Sequence, residues 1–322
     1  MSKRHLSDQQ HRRIAAAHEQ VIADGESHQG LVVTSFGKRV EVEYGDRQRL
    51  DCHVKTTLGQ VVVGDRVHWQ YEQNQRTGVI VGIEPRRHLL SRPDHYKQTK
   101  AIAANVDQII IVTTAVPAPI LYFIDKYLVI AQLQGITPVI VINKMDLQSP
   151  DDVTAVDEVM RLYRGLNYHV ITASAINSSG LAPLVACCQG HANIIVGQSG
   201  VGKSALINAL LGNAIAEVGD VSIANGQKGR HTTTTTRLYH LPEGGELIDS
   251  PGIREFGLWN MDTAEVVKGF REFLPYAGHC QFRNCRHHAE KGCALEVALH
   301  TGSIAASRLL SYRRIVQEIV NT

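Results

Sequence analysis

No stretch of this 322-residue sequence approaches the roughly 20 consecutive apolar residues of a membrane-spanning helix, and residues 1–20 are polar and basic, without the apolar centre of a secretory signal. Neither a membrane span nor export is expected, and the chain reads as cytoplasmic and monomeric, with no membrane partner. An excess of charge of one sign is missing too, because 33 Lys and Arg against 31 Asp and Glu leave a formal net charge of +2. That rules out a global polycation, so any nucleic-acid contact must come from local patches. Three basic runs exist: Lys3, Arg4, His5, His11, Arg12 and Arg13; Arg86, Arg87, His88, Arg92, Lys97 and Lys100; and Arg308, Arg313 and Arg314 on a late helical pattern. Most such runs are solvated surface. A disulfide framework is also lacking. Of six cysteines, Cys52, Cys187 and Cys188 are scattered, while Cys280, Cys285 and Cys293 crowd beside histidines, which favours metal over disulfide in a cytosolic chain.

What the chain does contain is organised around Gly197-Gln198-Ser199-Gly200-Val201-Gly202-Lys203-Ser204, a complete G-x-x-x-x-G-K-S/T phosphate loop. Glycines let successive amide N–H groups turn inward around phosphates, the Lys203 ammonium reaches the β/γ-phosphates, and the Ser204 hydroxyl meets Mg²⁺. An apolar strand pattern precedes the loop, and a helical pattern follows from Ala205, as the motif requires. Two further motifs end apolar runs. Asn143-Lys144-Met145-Asp146 matches N-K-x-D, in which the Asp146 carboxylate accepts hydrogen bonds from guanine N1–H and N2–H₂, a pair adenine cannot offer. Asp249-Ser250-Pro251-Gly252 matches D-x-x-G, with Asp249 on Mg²⁺ through water and the Gly252 amide at the γ-phosphate. Ser174-Ala175 resembles the loop that supports the guanine base. Between the phosphate loop and Asp249 lies a stretch rich in Gly, Asn and Thr, as a mobile switch loop requires; one of Thr232, Thr233 or Thr234, represented here by Thr233, completes the Mg²⁺ site.

Around these motifs the chain divides into a basic leader (1–29), a region of five short strands at 31–36, 39–44, 48–55, 65–72 and 78–84, a region of alternating strands and helices, and a tail. Five short strands suit a small OB-type barrel over 30–85. Residues 85–100 read as a linker. Strand patterns at 108–113, 138–142, 169–172, 193–196 and 246–248, with helical patterns at 120–134, 155–166 and 204–211, predict a parallel sheet covered on both faces, an α/β GTPase domain over 86–256. The guanine motif precedes the phosphate loop by about fifty residues, so this domain is circularly permuted. The tail, 257–322, is expected to be helical and to hold zinc through Cys280, Cys285, Cys293 and one neighbouring histidine, His287, His288 or His279. Three thiolates and one imidazole leave no open coordination position, so the metal would be structural.

With these motifs in this order, the chain resembles the ribosome small subunit-dependent GTPases of the RsgA (YjeQ) type over nearly its whole length, including the run His231-Thr232-Thr233-Thr234 and the choice of His287 over His288 or His279. The resemblance implies GTP hydrolysis coupled to late maturation of the small ribosomal subunit, contact with its ribosomal RNA, and turnover stimulated by that subunit. An RNA chaperone whose affinity is only tuned by GTP is the alternative. Many GTPases carry a water-orienting glutamine after D-x-x-G, but Ile253 stands there and can neither donate nor accept a hydrogen bond. His231 is the candidate substitute, with Lys203 neutralising charge in the transition state. A K⁺ ion held by a loop asparagine is disfavoured, because Gly200 occupies that place.

Overall fold

The protein is described here by a computed structural model covering residues 27–72, 76–93, 99–147, 149–212, 235–250 and 262–320. Residues 1–26 of the basic leader, His231, Thr232, Thr233, Thr234, Gly252 and Ile253 lie outside these residues.

Alternating apolar residues build the first unit. Strands β1 (His28–Ser35), β2 (Arg39–Tyr44), β3 (Gln48–Val54), β4 (Arg66–Tyr71) and β5 (Gly78–Ile83) run in the order β1-β2-β3-β5-β4, and β4 returns to pair with β1. Only the β3–β5 pairing is parallel, so the ring is a closed five-stranded barrel of the OB type. Val32, Val40, Val42, Cys52, Val67, Trp69 and Ile80 fill its interior, one face of each strand contributing at period two.

The stretch expected to be a linker is instead structured. Strands β6 (Leu89–Pro93) and β7 (Thr99–Ala104) pair antiparallel, with Leu90, Ala103 and Ala104 buried. Its cations hid this: Arg86 Nε lies 2.7 Å from the fully buried Asp65 carboxylate, and Arg87 Nη1 lies 2.7 Å from Asp107. Two members of the second basic run are therefore spent on ion pairs within the fold.

The α/β region follows as β8 (Gln108–Thr114), α1 (Leu121–Gln134), β9 (Thr137–Asn143), α2 (Pro150–Gly165), β10 (His169–Thr172), α3 (Leu181–Cys188), β11 (Ala192–Gly197), α4 (Lys203–Leu211), β12 (Thr236–His240) and β13 (Glu246–Asp249). The strand order is β10-β9-β8-β11-β13-β12, parallel except for β12. Helix α2 starts a turn earlier than its apolar pattern indicates, because Ser149 and Asp152 form a reciprocal capping box with Pro150 in the first turn. Strand β12 pairs antiparallel with β1, at Thr34 to Arg237 and Ser35 to Thr236, so barrel and sheet form one continuous eleven-stranded surface. Beside this seam His240 Nε2 lies 2.5 Å from Glu43 Oε1.

In the tail, α5 (Thr263–Val266) and tight turns at Val267–Gly269 and Arg271–Phe273 lead to α6 (Ala294–His300) and α7 (Ala306–Val320). Helix α1 lies between the sheet and this tail, which explains why its residues from Ile124 to Ala131 are all buried. The approach is close: a Cβ on Gly269 would fall 2.9 Å from Val129 Cα. Arg308 is not surface, as its basic run suggested. It is buried to 0% exposure against Asp125, Glu272 and the Phe270 ring.

Candidate functional site

The C-terminal ends of parallel strands point their loops to one edge of the sheet, and the sequence motifs converge there. Asn143 closes β9, the phosphate loop follows β11, Ser174 follows β10 and Asp249 ends β13.

Asn143 is the hub. Its buried amide donates from Nδ2 to the Val201 carbonyl in the phosphate loop, at 2.9 Å, and accepts on Oδ1 from the Ala175 amide, at 3.3 Å. Its own carbonyl accepts from Ala115 at 2.9 Å. The side chain thus ties its own segment to two others, 32 and 58 residues away in sequence. Lys144 next to it takes the left-handed backbone conformation, φ 62°, which turns the chain outward so that Asp146 stands exposed on the short turn Met145–Leu147. Ser174 Oγ, fully buried, donates to Asp146 Oδ1 at 2.5 Å, and the Met145 amide donates to the Ala173 carbonyl at 3.2 Å. The carboxylate of this exposed residue is thus held through one of its two oxygens.

The phosphate loop shows why two of its glycines are needed. At Gly197 φ is 145°, and a Cβ would fall 2.2 Å from the Val112 carbonyl oxygen; at Gly202 φ is 92°, and a Cβ would fall 2.3 Å from Asn143 Nδ2. Both positions exclude any side chain. Gln198, Ser199, Gly200 and Val201 wrap between them, and Lys203 Nζ donates to the Gly197 and Gln198 carbonyls at 2.7 and 2.5 Å, which bends the ammonium back over the loop. Ser204 and Ala205 are exposed in the first turn of α4, whose N-terminal amides face the loop mouth. Asp249 is half-buried at the end of the neighbouring strand, and Ser250 Oγ lies 3.0 Å from Thr236 Oγ1. The hydroxyl of Ser204 and the carboxylate of Asp249 are hard oxygen donors of the kind Mg²⁺ prefers. Next to Ser250 opens a cleft of about 680 Å³, lined by Phe36, Lys38, Lys100, Thr235 and Thr236, between the barrel and the sheet.

In the tail, Cys280, Cys285, His287 and Cys293 offer ligand atoms that all lie within 4.8 Å of one another. His287 Nδ1 is 3.5, 3.7 and 3.4 Å from the three sulfurs. A tetrahedron with Zn–S of about 2.3 Å and Zn–N of about 2.05 Å has an N···S edge of about 3.6 Å, so the four atoms fit that ion; His279 and His288 are not members of the group. Sequence reading missed what holds them. Glu290 accepts from the Arg286 and His288 amides at 2.9 and 2.6 Å, Ala294 N donates to Cys280 Sγ at 3.3 Å, and Arg313 Nε donates to the His287 carbonyl at 2.9 Å. Only the acidic residue inside a Cys/His-rich turn could have hinted at this.

A Walker-type loop, an N-K-x-D motif and a D-x-x-G aspartate on one parallel sheet, with the guanine motif first in the chain, define a circularly permuted GTPase joined to an OB-type barrel and a helical tail with a Cys₃His cluster. The comparisons agree and narrow the class. The sequence family described as RsgA GTPase matches residues 83–259. The Small ribosomal subunit biogenesis GTPase RsgA of Haemophilus influenzae (strain 86-028NP) is 42% identical, with 100% of this chain and 97% of the relative covered. The protein of that name from Chromohalobacter salexigens is 49% identical over 91% of this chain and 86% of its own. Among solved structures, YjeQ from Thermotoga maritima superposes with a TM-score of 0.73 at 33% identity, covering 92% of this chain and 99% of that one. YloQ, a circularly permuted GTPase, gives a TM-score of 0.69 at 24% identity, with 92% and 96% covered. The chain belongs to the RsgA GTPase family.

Proposed function

We propose that this protein hydrolyses GTP during late maturation of the small ribosomal subunit, in the cytoplasm, and that contact with the subunit stimulates turnover. The observation that carries the reading is Asn143, whose side chain joins the phosphate loop to the segment beside Asp146 and so builds one nucleotide site from motifs scattered along the chain. Asp146, oriented by Ser174, accepts from the guanine edge; Asn143, Lys144, Met145 and Ala175 frame the base. The amides of 197–205 and the Lys203 ammonium hold the phosphates, Lys203 exchanging its loop carbonyls for phosphate oxygens. Ser204 and Asp249, with Thr233, would hold Mg²⁺, which supplies charge neutralisation between the β- and γ-phosphates. Gly252 would donate its amide to the γ-phosphate, and His231 would orient the attacking water.

The Cys₃His group would hold one structural zinc, which makes the tail a rigid arm. The barrel cleft, with exposed Phe36 beside Lys38 and Lys100, has the aromatic and cationic pairing that suits ribosomal RNA. The test is GTP turnover measured alone and with purified small or large ribosomal subunits. Expected are a slow basal rate, roughly 10⁻⁴ to 10⁻² s⁻¹, and acceleration by small subunits only. In His231→Ala most of the stimulated rate should disappear at nearly unchanged GTP affinity. Equal stimulation by large subunits, or none by small ones, contradicts the proposal.

A further inference from the structure

The barrel joins the nucleotide-binding sheet at the hairpin that separates the two candidate switch segments. Strand β12 begins two residues after Thr234, and its hairpin partner β13 ends three residues before Gly252. On one side Arg237 of β12 stands opposite Asp249, and on the other it stands opposite Thr34 of the barrel strand β1. One row of cross-strand partners therefore runs from the barrel to Asp249 over two strand spacings, about 10 Å. One residue earlier, Thr236 pairs with Ser35 of the barrel, and its Oγ1 lies 3.0 Å from Ser250 Oγ. Thr236 and Ser250 also line the cleft of about 680 Å³ whose other walls carry Phe36, Lys38 and Lys100. Phe36 and both lysines are exposed, and there is no carboxylate among the described residues lining the cleft. An exposed ring with two cations and no acid fits an unpaired base and its flanking phosphates.

We propose that the Thr236–Ser250 hydroxyl pair is the positioning contact through which single-stranded RNA seated in this cleft acts on GTP hydrolysis. Two hydroxyls carry two protons and their mutual hydrogen bond uses one, so one proton is left for a phosphate or 2′-OH oxygen entering the cleft. An acceptor there fixes the direction of the pair, because a chain of three hydrogen-bonded oxygens is stronger than the pair alone. The pair stands at the roots of both switch segments. Ser250 adjoins Asp249, and Thr236 is the last of the five threonines that follow His231. RNA in the cleft thereby holds both roots in one arrangement and shifts the population toward the state competent for hydrolysis. The inference rests on reading this chain as a GTPase stimulated by the small subunit.

The experiment measures GTP turnover by the full-length protein against rising concentrations of purified small ribosomal subunits, which separates the maximal stimulated rate from the subunit concentration at half-stimulation. Thr236→Val keeps the β-branched shape and deletes the hydroxyl. Its maximal stimulated rate should fall about five- to tenfold, with half-stimulation shifted less than about twofold. Thr236→Ser keeps the hydroxyl and loses only the methyl, and should stay within about twofold of wild type. Ser250→Ala should lower the rate as Thr236→Val does, and the double variant no further. Should Thr236→Val melt well below wild type, Ser250→Ala carries the comparison, with Ser250→Thr as its hydroxyl-bearing counterpart. Phe36→Ala should instead raise the half-stimulation concentration at least about threefold at an unchanged maximal rate. A wild type that small subunits do not stimulate refutes the small-subunit reading, and this inference with it. Given stimulation, a wild-type maximum in Thr236→Val, an equal loss in Thr236→Ser, or additive losses in the double variant overturn the role of the hydroxyl pair. Half-stimulation unchanged in Phe36→Ala, or a photo-cross-linker at position 36 that captures ribosomal protein and no RNA, overturns the cleft as the seat of RNA.

Discussion

In the proposed site, base recognition comes down to the two oxygens of Asp146. One accepts from the buried Ser174 hydroxyl and the carboxylate stands at the surface of its turn, so its orientation is fixed before guanine arrives and little ordering is left for binding. Asp146→Asn offers the guanine edge a donor where an acceptor is needed; GTP affinity should fall by about 1–3 kcal/mol and preference over ATP should vanish in direct titrations. Ser174→Ala leaves the carboxylate but unfixes it, and the expected loss is smaller, about 1 kcal/mol, with selectivity kept. These residues were legible in the sequence because the chemistry dictates residue type at fixed spacing. Arg308 was not. A cation in a basic, amphipathic stretch reads as solvated surface, and its burial depends on Asp125 and Glu272, 183 and 36 residues away. No local pattern announces such partners.

Among the elements, those buried on both sides were the readable ones. Strands β8, β9 and β11 are continuous apolar runs, and the barrel strands alternate, so period and composition located them. The β6–β7 pair escaped because its flanks are basic and its burial is shared with the barrel and α1. Strand β12 escaped because its partner β1 lies some two hundred residues earlier, and it is there that barrel and sheet fuse. The seam carries a testable charge. Burial pushes the Glu43 carboxyl upward, but the hydrogen bond and charge of His240, with Arg49 and Arg47, hold it below its ordinary 4.5. A carboxylate with a lowered folded-state pKa stabilises above its unfolded value and loses that contribution as pH falls through the folded one. Glu43→Gln should therefore cost ~1–2 kcal/mol near neutral pH, and the gap to wild type should narrow below about pH 4.5, as read from urea midpoints across the acid range.

For the molecule as a whole, permutation places the segment after Asp249 directly before the tail, and the tail folds back onto α1 of the same sheet. The region from 262 onward has few helices of its own to form a core: Val266, Phe270, Phe273, Leu295, Leu309, Tyr312 and Ile315 pack with α1 and α2 in the largest apolar cluster. Between Phe273 and Ala294 the chain has no regular helix or strand, and the Cys₃His group stands within it, braced by Glu290 and by the His287 ring edge-on to Tyr312 at 5.9 Å. With zinc bound as proposed, metal binding energy would be folding energy for this stretch alone. Elemental analysis of metal-replete protein should return near one zinc per chain. Cys285→Ser, or chelation, should open residues 274–293 to proteolysis, while the far-UV spectrum of the sheet and guanine-nucleotide binding survive, because among the described residues none of the site's hydrogen bonds passes through that stretch. Stimulation by the small subunit should drop, since a loosened arm binds its partner with an ordering cost it did not have before. Zinc-free protein with the same protease resistance as wild type would show that the apolar cluster holds the tail unaided, and that the four ligands add nothing to its fold.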